Sequence, residues 1–148
     1  MQGETFQSEL MARYAKNPEE WRPFFYTGFV SIGTALNARE SVSISLNKQA
    51  FLLEEVRTEI IGSDNDGLYT ISMSDEISNY TNQPLPADLF HGAGRLGHFH
   101  KMPIPVFFRG NNVLTFSFQN LKARSNPPSE LFQIWVTCVG WMDWGVVR

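Results

Sequence analysis

Two segments of this chain alternate strictly between apolar and polar residues, and that two-residue period limits the fold more than any other feature. Across 41–46, Val42, Ile44 and Leu46 share one face and serines occupy the other. Across 113–119, Leu114, Phe116 and Phe118 oppose Thr115, Ser117 and Gln119. Successive side chains of a strand point to opposite faces, so each segment reads as a strand with one wet side. Residues 68–73 repeat the pattern with Tyr69, Ile71 and Met73, and 51–61 with Val56, Thr58 and Ile60. Residues 24–32, 104–109 and 131–139 are rich in aromatic and β-branched side chains and read as further strands. Asp66-Gly67 and Gly110-Asn111-Asn112 supply turns between them. About seven or eight strands at such spacings, with no long helical pattern between them, exclude a parallel α/β sheet. The expected fold is all-β: an antiparallel β-sandwich of the jelly-roll kind.

Ahead of the strands, Phe6, Leu10, Met11 and Tyr14 recur at helical spacing and form one apolar stripe. Asn17, Pro18 and Glu20 then suit a cap, a first-turn proline and a capping-box acid, and Pro23 closes this second piece. Residues 1–23 are therefore expected to be a short helical or extended N-terminal arm, and 24–148 the β-sandwich domain. So short a helix is marginal alone in water, so its stripe must dock on its own domain or on a neighbour. Residues 74–102 are polar, contain Pro and Gly, and read as irregular. A stretch that long is usually functional or interfacial.

Of 148 residues, 43% are hydrophobic, 14% aromatic and only 18% charged. That balance excludes a disordered chain and predicts a surface partly covered by something other than water. The net charge of −3 offers no basic excess to neutralise phosphates, so no nucleic-acid partner is expected. No apolar run approaches the roughly 18 residues of a membrane span, and no basic, then apolar, leader is evident. The expectation is no membrane partner and synthesis in a reducing cytosol. Cys138 lies in an apolar run and reads as a small buried hydrophobe.

The sharpest chemical candidate is the stretch 91–100, which holds all three histidines. His98 and His100, two apart, would point the same way on a strand, as metal ligands do. Residues 92–100 also resemble the first half of the cupin metal motif: a glycine, five residues, then His-x-His. The glutamate that motif needs shortly afterwards is missing, Ile104 and Pro105 standing there, and no histidine follows His100. The stretch then reads as a loop whose Arg95, His98 and His100 touch a neighbouring subunit, and no metal or cofactor is expected. Asp64-Asn65-Asp66-Gly67 lacks the ligand spacing of a calcium loop. No nucleophile elbow is present. The acid pairs Glu54-Glu55 and Asp75-Glu76 would point to opposite faces of a strand. The chain is not expected to be an enzyme or to take a small-molecule substrate.

Aromatic residues gather where the arm meets the first strand (Trp21, Phe24, Phe25, Tyr26) and after the last strand (Trp141, Met142, Trp144). Clusters of Trp, Met and other aromatics are the signature of an interface core. Together with Phe6, Leu10 and Tyr14 of the arm and Arg95, His98 and His100, they are the expected partner-binding residues.

From Pro103, the sequence PIPVFFRGNNVLTFSFQNL, a loop, and LFQIWVTCVGW resemble the C-terminal half of small virion proteins of tailed bacteriophages. The matching positions are Pro103, Pro105, Gly110, Asn111, Asn120, Leu121 and Gly140, and the likeness covers about the last third of the chain. The arm and the His-rich loop have no counterpart in that pattern. The resemblance implies a jelly-roll or sandwich module serving as capsid cement, decoration or another auxiliary part. The expected function is then a non-enzymatic virion structural protein that stabilises contacts between major capsid subunits. Its expected partners are itself, as a dimer or trimer, and the major capsid protein. Its expected place is the capsid surface, after synthesis in the host cytoplasm. The alternatives are a glycan-binding or adaptor module of a phage tail or fibre, with Asn79, Tyr80 and Asn82 suited to sugar, and a cupin-like metalloenzyme.

Overall fold

The computed structural model describes residues 21–64, 66–81, 83–87, 101–124 and 131–144, and of 101–105 the backbone only. Eight strands follow one another: β1 (Trp21–Gly33), β2 (Arg39–Ser45), β3 (Phe51–Ile61), β4 (Tyr69–Ser74), β5 (Leu85–Pro86), β6 (Lys101–Phe108), β7 (Val113–Asn120) and β8 (Leu131–Asp143). They form two four-stranded antiparallel sheets, a front sheet in the order β1-β8-β3-β6 and a back sheet in the order β2-β7-β4-β5. The fold is an all-β sandwich. Its pairings are nested: β1 with β8, β2 with β7, β3 with β6 and β4 with β5. That is the pattern of one long antiparallel ribbon wrapped into two layers.

Alternation decides which residues fill the space between the sheets. Ile44, Leu114, Phe116, Phe118, Tyr69, Ile71 and Met73 come from the back sheet, and Ile32, Phe51, Val56, Phe132, Ile134, Val136 and Met142 from the front. Tyr26 enters the same core with its ring edge-on to Phe51, centroids 5.0 Å apart. Its hydroxyl accepts a hydrogen bond from the Asn47 amide at 2.9 Å, so the one polar atom it buries has a partner. Tyr69 is likewise buried with its hydroxyl bonded to Thr58.

Two local expectations change. Trp21, Arg22 and Pro23 belong to β1, not to a helical piece that Pro23 closes. β1 is an edge strand, where a residue without an N–H is tolerated. The pairing of β3 shifts between Leu53 and Glu55, and this bulge turns Glu54 and Glu55 to the same outer face. Each carboxylate there has its own partner: Glu54 accepts from Trp141 Nε1 (2.6 Å) and Glu55 from Arg57 Nε (2.8 Å). Gly140 and Gly110 have packing reasons. A Cβ on Gly140 would collide with the Leu52 carbonyl, and one on Gly110 with that of Lys48.

The pole that holds the β3–β4 turn is tied by a buried arginine. Arg124 donates from Nε to Asn120 Oδ1 (2.9 Å) and from Nη2 to Asp66 Oδ1 (2.9 Å) and the Leu68 carbonyl (3.2 Å). Nη1 reaches the Asp64 carbonyl at 3.0 Å, and the guanidinium lies 4.8 Å from the centre of the Phe132 ring. Asn120 continues the tie, donating to the Ala35 carbonyl at 3.0 Å. A charge buried this way is stable because every donor has an acceptor. Burial pushes Asp66 upward, but hydrogen bonds from Lys122, Arg124 and the Leu68 amide outweigh it and hold its carboxyl below the usual range.

Candidate contact surface

The outer faces of the two sheets differ. β1 and β8 pair over their whole length, from Trp21 opposite Asp143 to Gly33 opposite Leu131. Their even-numbered residues point into the core, so the register lines the odd ones up outside. Phe25 meets Val139, Thr27 meets Thr137, and Phe29 meets Trp135. The Phe29 and Trp135 rings stack, centroids 4.6 Å apart and planes 18° apart. Trp135 Nε1 donates to Gln133 Oε1 at 3.1 Å, which satisfies its polar edge without hiding the ring face. Phe25 is 59% exposed, Phe29 49%, Leu131 52% and Ile61 49%. These residues make an apolar, ring-rich strip along the front sheet.

At one end the strip is sealed. Trp21 and Leu52 are buried together on the outer side of the front sheet, with Ala50, Phe107 and Trp141 packed against them. Trp141 gives its indole N–H to Glu54, whereas the buried Trp21 Nε1 has no partner among the described residues. Trp144 stands at this end, 44% exposed, with its ring 6.2 Å from Phe24.

The back sheet's outer face is hydroxyl. Ser41 bonds Ser117 (2.9 Å) and Ser43 bonds Thr115 (3.1 Å) across β2 and β7. Among the described residues, no exposed large hydrophobic side chain lies on this sheet's strands.

The structure sorts the expected contact residues unevenly. Phe25 and Trp144 are exposed, and Phe24 and Trp141 are half-buried. Tyr26 and Met142 are corrected: their even positions aim them into the core, where neither can reach a partner. Trp21 is corrected in part, because its ring is on the outer side but already covered. Phe6, Leu10, Tyr14, Arg95, His98 and His100 lie outside the described residues. Phe29, Trp135, Leu131 and Ile61 were not expected; for the first three the signal was large apolar residues recurring among the polar ones in the odd-numbered rows of 25–31 and 131–139.

Three other groups bear on chemistry. Cys138 is fully buried, and burial pushes its thiol up to about 12, so it has no thiolate to offer. Asp75 accepts from the amides of Ile77 (2.8 Å) and Ser78 (2.6 Å) and from the Tyr80 hydroxyl (2.7 Å). Burial opposes these bonds, but together they hold Asp75 below its usual value, while burial and then Asp75 itself push Tyr80 up. Tyr80 also packs edge-on against Phe108, with centroids 5.6 Å apart, so its ring is not a free platform for sugar. Asn82 lies outside the described residues. Among the described residues, no three metal-ligating side chains gather, and no helix is long and apolar enough to cross a membrane.

No known family model matches this chain, and no curated protein matches it in sequence.

Proposed function

We propose that this chain is a non-enzymatic structural protein of a virion, of the cement or decoration kind. In this reading it associates with itself and with major capsid subunits through the outer face of its front sheet. The observation that carries the reading is the row of exposed Phe25, Phe29 and Leu131 with half-buried Trp135 on one sheet, while the other sheet's outer face is hydroxyl. A large apolar patch on one side of a sandwich marks a contact site, and rings are the side chains that give interfaces most of their affinity. The nested pairing of β1 with β8 through β4 with β5 supports a jelly roll, an architecture shared by viral capsid domains, lectins and cupins. Fold likeness alone does not choose among those three. Many weak contacts repeated over a shell add by multivalency, so each one can be modest.

A second reading keeps one observation of its own. The stacked Phe29–Trp135 pair has Gln133 and Thr137 beside it, a flat ring surface with hydrogen-bonding neighbours that suits a sugar. The discriminating experiment is sedimentation of the full chain over a hundredfold concentration range, beside binding to purified capsids and to a glycan array. Self-association and capsid binding, both lost in Phe25→Asp/Phe29→Asp, support the structural reading. Glycan binding by a persistent monomer replaces it with the second.

A further inference from the structure

We infer that two copies of this chain join edge to edge, β1 against β1, antiparallel about a two-fold axis at Thr27, so that their front sheets run on as one. The inference rests on the self-association proposed above and names its site. The apolar strips of both copies stay open to a capsid subunit.

β1 forms one margin of the front sheet, with β8 on one side and no described strand on the other. Which backbone groups face the open side follows from β8. The Asp143 amide donates to the Ala50 carbonyl, at the start of β3, at 3.0 Å. The odd-numbered residues of β8 therefore turn their N–H and C=O groups towards β3. Their opposite numbers in β1 are odd as well, so these turn theirs to the open edge. Pro23, which has no N–H to give, falls in that row and costs the pairing with β8 nothing.

This edge is also the least defended. Natural sheets blunt their edges with charge, proline, bulges or brevity. β5 has two residues, β2 opens with Arg39 and Glu40, and β6 carries Lys101, Pro103 and Pro105. From Phe24 to Gly33, β1 has no charge, no proline and an unbroken register with β8.

The strand is its own best partner. Full overlap of Trp21–Gly33 with a second copy puts the two-fold axis at its middle residue, Thr27. On the outer face, Phe25 of each copy then stands opposite Phe29 of the other. On the inner face, half-buried Phe24 stands opposite half-buried Val30, which closes the core at the edge where both are still wet. Aromatic and β-branched pairs across strands are those that stabilise a sheet. The pairing forms about ten backbone hydrogen bonds, as many as a typical interface carries. Two-fold symmetry uses up the β1 edge of both copies, so association through it stops at two.

The test uses the full chain with one added thiol, Thr27→Cys, Ser31→Cys or Thr137→Cys, under oxidised glutathione. Cys138 is buried and stays silent. On the axis the two Cα atoms lie about 5.5 Å apart, within disulfide range. The two copies of residue 31 lie roughly 27 Å apart along the strands, and those of residue 137 roughly 14 Å apart across them. The expected result is a covalent dimer that forms at least tenfold faster in Thr27→Cys than in either other variant. Equal rates overturn the inference. Amide exchange of the unaltered chain is the second measurement, read at Thr27, Phe29 and Ser31. It should slow at least tenfold between dilute and concentrated samples. Fast exchange at every concentration overturns the pairing, and capsid binding by the same sample would leave the proposed function standing. Protection that is complete at high dilution, or that needs added capsids, also overturns it, because another segment then holds the edge. Concentration-dependent protection without capsid binding would remove the proposed function and leave the pairing.

Discussion

The front and back sheets solve the same packing problem inside and opposite problems outside. Both send aromatic and branched side chains into one shared core. On the outside, the back sheet pairs serine with serine and serine with threonine, a face that water already satisfies. The front sheet stacks Phe29 on Trp135 and leaves Phe25 and Leu131 wet. Folding does not require that, since apolar area left in water contributes nothing to stability. The difference separates residues that hold the sandwich together from residues available for something else, and each prediction below strains that separation.

The largest effect should come from a ring on the inner side. Phe116 is fully buried in the back sheet, and Phe116→Ala should cost about 3–5 kcal/mol through lost transfer energy and the cavity left behind. Trp135→Ala, on the half-buried outer face, removes a larger side chain yet should cost the free protein only about 1 kcal/mol, mainly the stacking with Phe29. Urea unfolding of the two variants checks the contrast. Equal losses would mean that the outer row is part of the folding core.

Next comes charge placed on each outer face in turn. Phe25→Asp/Phe29→Asp should weaken association at least 100-fold, about 2.7 kcal/mol, because a carboxylate inside an apolar contact loses its water. Ser43→Asp on the back sheet, opposite Thr115, should leave association unchanged. Sedimentation equilibrium measures both, and a loss from the back-sheet variant would move the contact to the other side of the molecule.

The same contrast explains what the sequence disclosed. The inner faces were legible because Val42, Ile44 and Leu46, or Leu114, Phe116 and Phe118, alternate with polar residues; where one face is wet, period two shows. β1 and β8 were legible as strands but less so as faces, because Phe25, Phe29, Leu131, Trp135 and Val139 interrupt the polar residues on their outer sides. That is why Tyr26 and Met142 were grouped with Phe25 and Trp141, though one residue of offset sends a side chain to the opposite layer. The bulge at Leu53/Glu55 was illegible for another reason: it depends on how three strands pair, which no local pattern encodes. Arg124 gave no signal either, since its partners Asp64, Asp66 and Leu68 are far away in sequence.

Acid should then distinguish the sheets. β4 of the back sheet is pinned at one end by Asp66 and at the other by Asp75, and both carboxyls are held below their ordinary values. Their contribution is complete above the unfolded value near 4 and is lost as pH falls through the lower folded values. Below pH 4, amide exchange in β4 should rise before exchange in β1 or β8, with a fall in Tm on the order of 4 °C. Asp66→Asn should flatten that acid dependence while lowering stability at neutral pH. Simultaneous opening of both sheets would show that these carboxylates do not set the order.

The smallest effect belongs to the hydroxyl ladder. Ser41 and Ser117 bond at 2.9 Å on an exposed face, where either hydroxyl can exchange its partner for water at little cost. Ser117→Ala should therefore change stability by less than about 0.5 kcal/mol, and combining it with Ser41→Ala should show almost no coupling. The converse substitution is more informative. Ser43→Phe with Thr115→Trp would place a stacked pair across β2 and β7, at a register like that of Phe29 and Trp135. A sheet tolerates such a pair outside, so stability should hold or rise slightly, and the new rings should bind a hydrophobic dye. If the altered back sheet also made the protein self-associate as the front sheet is proposed to, ring content alone would account for the contact. If it bound dye without associating, the arrangement of Phe25, Phe29, Trp135 and Leu131 along the strip would be what a partner reads.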